Sequence, residues 1–321
     1  MAIEAKLVQA GEVINWTADA DYSAGELIQT PDGRAGFVTV DVTSGNSVGV
    51  QVTGVVEVAK TTSMVLLAGG RAYWDHSANK IHYKKVNDRD FYAGRIQSDA
   101  TSAATVCYVA LNVDPPYDID VLRDPANSVA TGTAAAGGFG LPAVYGGALG
   151  LSLTSTNEAQ CVDILSVEQF AVASNAIVET IFRIGVNGST SAVDFNIGVA
   201  NGTSTSDADA IAESCFIHVD GNALDLLAES DDGTTEVAAT DTTVDFTAGS
   251  AVANRVEAWF DLRDPADIQV YINGALVLGS TVFKLDAATG PLGLLAHLEK
   301  TSGTATAGPI YIDALRARFQ Q

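Results

Sequence analysis

The run VGVQVTGVVEVAK (residues 48–60), followed by TTSMVLLAGG (61–70) and RAYWD (71–75), decides the fold class. Val48, Val50, Val52, Val56 and Val58 recur at even positions, with Gly54 as the gap and Gln51, Thr53 and Glu57 between them. Successive side chains of extended backbone point to opposite faces, so this period of two predicts a half-buried strand. Gly54 in its middle predicts a bulge or a close backbone approach. Gly69-Gly70 then turns the chain into RAYWD, where Ala72 and Trp74 alternate with Arg71, Tyr73 and Asp75. A third run, residues 80–84, sets Ile81 and Tyr83 against His82 and Lys84.

Working outward, strands are expected at 13–16, 36–42, 64–67, 91–96 and 105–112, with Pro31-Asp32-Gly33 as a turn. The last of these is apolar on both faces, and is expected to lie inside the domain or be covered by a neighbour. Asp114-Pro115-Pro116-Tyr117 follows, and two prolines cannot continue a ladder, so a first domain is placed at 1–112. Residues 113–158 are rich in Gly, Ala, Ser and Thr and read as a linker or extended crossing. Phe139, Leu141, Val144 and Tyr145 would pin it to a partner surface. From 159 to 321 strand patterning resumes with longer runs: 177–186, 193–199, 215–219, 223–227, 254–262 and 310–319. In the run 254–262, Val256, Ala258, Phe260 and Leu262 point inward, with Glu257, Trp259 and Asp261 outward. Ile268, Val270 and Ile272 lead into Asn273-Gly274, the signature of a type I′ hairpin. Burying those three side chains is worth roughly 5–9 kcal/mol at about 1.5–3 each.

The net charge of −22 is unevenly spread: −3 over residues 1–112 and −19 over 113–321. So negative a surface repels phosphate backbones, which excludes nucleic acid as a partner. No GxxxxGK[ST] loop is present, and a phosphate-loop recombinase is excluded with it. No apolar run reaches a membrane span, and the first residues carry no secretory pattern. Cys107, Cys161 and Cys215 lie far apart and form no CxxC, as expected of free buried thiols in a reducing compartment such as a cytoplasm.

Candidate chemistry is sparse. Glu257 and Asp261 share a strand face, but four residues of strand separate their backbones by about 13 Å, beyond the roughly 5–9.5 Å at which two carboxylates share a glycosidic bond. Trp259 between them is the candidate for stacking on a sugar, with Glu257 and Asp261 beside it; the alternative is a tryptophan packed under a loop or in a subunit contact. Asp207-x-Asp209 and Asp231-Asp232-Gly233 have the residue types for calcium, yet turn chemistry explains both. Asp19-x-Asp21-x-Ser23 lacks the glycine and glutamate of a calcium loop and reads as an acidic surface turn. His76, His82, His218 and His297 form no HxxH or HExxH, and no GxSxG is present. No catalytic residue, metal or cofactor is assigned, and the chain is not expected to be an enzyme.

Two resemblances complete the reading. The GVVEVAK run, the GGRAYWD turn and strand, Tyr92-Ala93-Gly94-Arg95-Ile96 and the closing strand to Leu111 resemble the capsid cement, or decoration, proteins of tailed phages. That resemblance spans about residues 1–112. It implies a structural protein on the outer surface of the virion capsid, with the major capsid protein as partner and a homotrimer as the assembly. Glu179-x-x-Phe182-Arg183, the Trp259 to Gly274 stretch and Ile310-x-Ile312-Asp313 resemble concanavalin-like jelly-roll sandwiches. Together they imply an all-β chain: a small N-terminal β-barrel-like module, then a C-terminal jelly-roll β-sandwich projecting outward. The alternative is a carbohydrate- or receptor-binding protein acting on a surface glycan through the sandwich.

Overall fold

The computed structural model describes residues 12–124, 126–131, 148–185, 193–221, 223–246, 255–301 and 307–320. Every regular element among them is a β-strand, apart from one 3-10 turn at Val172–Ser174. The chain divides into two compact units, Met1–Pro116 and Tyr117–Gln321.

The first unit holds two antiparallel sheets. One is built from β1 (Val13–Thr17), β2 (Leu27–Gln29), β3 (Ala35–Val38) and β4 (Ser47–Gln51), in the order β1-β4-β3-β2. Its core gathers Trp16, Ile28, Val38, Val48, Val50 and Val52. The other contains β5 (Val55–Ala59), β6 (Arg71–Asp75), β7 (Lys80–His82), β8 (Phe91–Ile96) and β9 (Val106–Leu111), ordered β5-β9-β8-β6-β7. A parallel bridge from Lys60 to Ile81 brings the end of β5 back to β7, which curls this sheet toward a barrel. The deciding stretch is therefore two strands and not one. Gly54, at φ 103°, sits where the chain leaves one sheet for the other. Asn112 ties the two sheets together, donating to the carbonyls of Ala35 and Val52 and accepting from the Ala35 amide.

The second unit is a sandwich of two seven-stranded sheets. The first sheet runs β10 (Ile119–Asp120), β23 (Ala307–Phe319), β14 (Ala176–Ile184), β19 (Arg255–Asp261), β20 (Gln269–Ile272) and β21 (Ala275–Val277); β12 (Leu149–Leu153) also pairs with β23. The second runs β11 (Ala126–Thr131), β13 (Gln160–Ser166), β22 (Gly293–Lys300), β15 (Val193–Ala200), β16 (Glu213–Asp220), β17 (Asp225–Asp232) and β18 (Glu236–Asp245). One apolar core fills the space between them, with Phe182 of one sheet set edge-on to Phe195 of the other at 5.5 Å. Asn273 (φ 51°) and Gly274 (φ 82°) supply the two positive φ angles of the β20–β21 hairpin.

Residues 113–158, expected as a linker, need correction. β10, β11 and β12 lie within that span and pair into both sheets of the sandwich. Backbone pairing requires no bulky side chains, and Leu149, Leu151 and Leu153 are buried in the core. Phe139, Leu141, Val144 and Tyr145 lie outside the described residues. Of the two expectations for β9, burial inside the domain does not hold, since the strand is open on one face. Val106 and Tyr108 are 40% and 45% exposed, beside Val55 on β5 at 55%.

Candidate functional site

Charged side chains collect on the outer face of the second sandwich sheet. Within β13, β22, β15 and β16 the inward positions are apolar (Val162, Ile164, Ala296, Leu298, Phe195, Ile197, Ile217, Val219). The alternate positions face outward and are polar. Strand register sets Asp163 opposite His297, His297 opposite Asn196, and Asn196 opposite His218. One step along, Cys161, Glu299, Asp194 and Asp220 form a parallel row. The β15–β16 connection packs Ala208 and Ile211 onto Phe216 and Leu295 next to these rows. It also delivers Asp209 to His218.

Both rings are clamped by carboxylates. His297 Nδ1 is 2.6 Å from Asp163 Oδ1, and its Nε2 is 2.9 Å from Glu299 Oε2. Burial opposes a charge on His297, but the bonds to Asp163, Cys161 and Glu299 prevail and raise its pKa well above the ordinary imidazole range. His218 Nε2 is 2.9 Å from Asp220 Oδ1, while its Nδ1 is 3.3 Å from both Asp209 Oδ1 and Glu229 Oε1. There too burial is outweighed by the carboxylates, and the pKa is pushed up to about 11. Asp194 is raised to about 7, first by burial and despite the pull of His218. Cys161 Sγ donates to Asp163 Oδ2 at 3.2 Å, and burial pushes its thiol up rather than activating it. Among the described residues, three groups bring possible metal-ligating atoms within 4.8 Å of one another: Cys161, Asp163 and His297; Asp194, His218 and Asp220; and Asp209, His218 and Glu229.

Glu257, Trp259 and Asp261 do lie on the face of β19 away from the core, but that face is buried as well. Their exposures are 4%, 7% and 8%. Long side chains close over them: Glu179 pairs with Arg316 and, at 3.5 Å, with Arg318, and Arg316 stacks 4.0 Å from the Tyr117 ring. Trp259 Nε1 donates to Glu257 Oε1 at 3.3 Å, and its ring packs against Tyr271. At 7% exposure Trp259 presents little ring surface to a sugar. Burial, then the neighbouring Glu179, lifts Glu257 to about 7.

The acidic turns behave as turns. Asp231 accepts from the Gly233 amide, and Asp232 from those of Thr234 and Thr235. Asp21 accepts from the Ser44 amide, and Asp19 from the Tyr22 hydroxyl. Asp209 departs from this pattern, since it reaches across to His218. His218 and His297 do not stand out by helical histidine spacing. The readable signal was strand spacing: Cys161-x-Asp163, Asp194-x-Asn196, His218-x-Asp220 and His297-x-Glu299 each put two polar groups on one face.

An all-β chain of two units, the second a two-sheet sandwich, is thus the class to which the protein belongs. Residues 8–111 match the family model of the phage cement protein, nearly the whole of the first unit. That match supports a capsid decoration role. No curated protein matches the sequence. Among solved structures, similarity extends to one reported with the finding that prominent members of the human gut microbiota express endo-acting O-glycanases to initiate mucin breakdown (10% identity, 61% of this chain and 92% of the other, TM-score 0.41). The Emp46p carbohydrate recognition domain in its potassium-bound form is also similar (11%, 59% and 87%, 0.37). So is botulinum neurotoxin type C, described as dependent on two ganglioside molecules for its uptake by cells (11%, 61% and 44%, 0.38). At such identities and scores, nothing about this chain's ligands follows from them.

Proposed function

We propose that the protein is a structural decoration protein of a phage head: its first unit binds the major capsid protein on the outside of the assembled shell, and its sandwich is displayed outward. The observation that carries this reading is the cement-family match over residues 8–111. The open sheet face within that span supplies the contact. Register places Val55 and Ala110, Glu57 and Tyr108, and Ala59 and Val106 side by side on one face of β5 and β9. Exposed aliphatic and aromatic side chains grouped in this way mark an interaction surface rather than a solvated one. Binding spread over several shell subunits stabilises the assembled state by mass action. A homotrimer, the assembly implied by the cement resemblance, belongs to the same reading, and sedimentation of the free protein tests it.

The decisive experiment is co-sedimentation with undecorated shells of the full chain and of Tyr108→Glu. Tyr108 is exposed, so the variant is expected to melt within a few degrees of the parent while losing about tenfold or more in shell affinity, the scale of a central aromatic contact. Undiminished binding by Tyr108→Glu and by Val106→Asp would remove this face from the proposal. Failure of the parent chain to bind any shell would remove the decoration role itself.

A further inference from the structure

We propose that Asn196, Asp209, His218 and Glu229 form a site for one divalent transition-metal ion on the outer face of the sandwich. Four polar groups crowd together there. Asn196 Nδ2 lies 2.9 Å from Asp209 Oδ1, 2.8 Å from Glu229 Oε1 and 3.2 Å from His218 Nδ1. Its two hydrogens are spoken for by the two carboxylates. A proton on His218 Nδ1 lies between the two carboxylate oxygens, with the amide donor crowding it at 3.2 Å. Without the proton, the Nδ1 lone pair faces two carboxylate oxygens at 3.3 Å. Without a cation at Nδ1, the lone pair and the two carboxylates repel one another.

A second observation is independent of the first. Asn196 is fully buried, and its Oδ1 has no hydrogen-bond partner among the described residues. Turning the amide over brings this oxygen to the place where Nδ2 now stands, since the two ends have the same shape. Four ligand atoms then converge: an amide oxygen, an imidazole nitrogen and two carboxylate oxygens. Such a set is mutually repulsive unless a proton on His218, or a metal ion in its place, lies between its members. With the metal ion it is complementary, because two carboxylates balance a divalent charge.

The spacing fits. Five of the six separations among these four atoms run from 2.8 to 3.3 Å, and Asp209 and Glu229 bring theirs within 4.8 Å. Tetrahedral bonds of about 2.0–2.1 Å to zinc give edges of about 3.3 Å. An imidazole among the ligands favours zinc over calcium, which takes six to eight oxygens, while the three oxygen ligands also admit manganese. His218 Nε2 is already bonded to Asp220 at 2.9 Å, the outer carboxylate that orients a metal-bound histidine and frees its Nδ1 lone pair. Asp209 is 43% exposed at its side chain, leaving a way in from solvent.

The test uses the full chain, stripped with chelator and then titrated separately with zinc, manganese and calcium, following heat and bound metal; cobalt absorption reports tetrahedral nitrogen and oxygen ligation. One zinc or manganese per chain is expected, with calcium weaker. Asp209→Asn and Glu229→Gln should each weaken binding by about tenfold or more. Circular dichroism checks that each metal-free variant is folded. The inference does not depend on shell binding. It is overturned if the parent retains neither zinc nor manganese, if both variants bind as tightly as the parent, or if Cys161→Ser abolishes binding while Asp209→Asn does not. The last result would assign the ion to Cys161, Asp163 and His297.

Discussion

Glu257 shows how one buried carboxylate sets a pH dependence. Its folded pKa of about 7 lies above the ordinary 4.5, so the folded state holds the proton more tightly than the unfolded chain does. The sign follows: this residue opposes folding increasingly as pH rises from about 4.5 to 7, then levels off. At about 1.4 kcal/mol per pKa unit, the difference amounts to about 3 kcal/mol. Glu257→Gln keeps the shape and an acceptor for Trp259 while removing the charge. Denaturant unfolding at pH 5 and pH 8 should show the variant losing less stability than the parent on going to pH 8; equal losses would show that Arg255, at 3.3 Å, compensates the charge in full. The cysteines make a second prediction at this scale. All three are free and buried, and burial raises each thiol, Cys107 to about 12. Alkylation of the native protein, read by mass spectrometry, should leave all three unlabelled, and denaturation should release them together with no disulfide.

Elements were legible where one face is apolar and the other polar. β6, β8, β15, β19 and the β20–β21 hairpin stand where alternation or a turn pair placed them. β18 and the strands within 113–158 were missed, since edge strands and Gly/Ala-rich runs are held by backbone pairing that leaves little mark on side-chain type. β13 and β22 were missed for another reason. Their outward positions carry Cys161, Asp163, His297 and Glu299, polar groups buried by pairing with one another, so burial and polarity cease to be opposites. The candidate site was hidden by the same effect, and Asp209 entered it from a loop whose reach no spacing rule gives. Gly54 shows the converse: its presence was noted but its meaning was larger than a bulge. At φ 103° it separates β4 from β5, and an alanine there meets no neighbour within 4 Å but must adopt a backbone that L-residues avoid. Gly54→Ala should therefore destabilise the first unit by about 1 kcal/mol or more, read as a lowered midpoint in denaturant with an unchanged slope. No loss would mean the junction between the two sheets is plastic.

For the whole molecule, charge divides as the units do. Met1–Pro116 carries 9 Lys+Arg against 13 Asp+Glu, and Tyr117–Gln321 carries 8 against 26. A surface that docks on another protein must shed water, and unpaired charge resists that strongly. A unit at −4 with an open aliphatic and aromatic face meets the condition, whereas one at −18 does not. If the second unit is displayed in solvent as proposed, its charge would be screened over about 8–10 Å and would keep decorated particles apart. Each unit has its own apolar core, so each is expected to fold when cut after Pro116. Co-sedimentation with undecorated shells should then carry down residues 1–116 and leave 117–321 in solution, once circular dichroism shows both folded. Low salt should disperse shells carrying the full chain better than shells carrying 1–116 alone, because only the former bear the acidic sandwich. If 117–321 sediments with shells while 1–116 does not, the roles of the two units are reversed and the acidic face is the one the shell recognises.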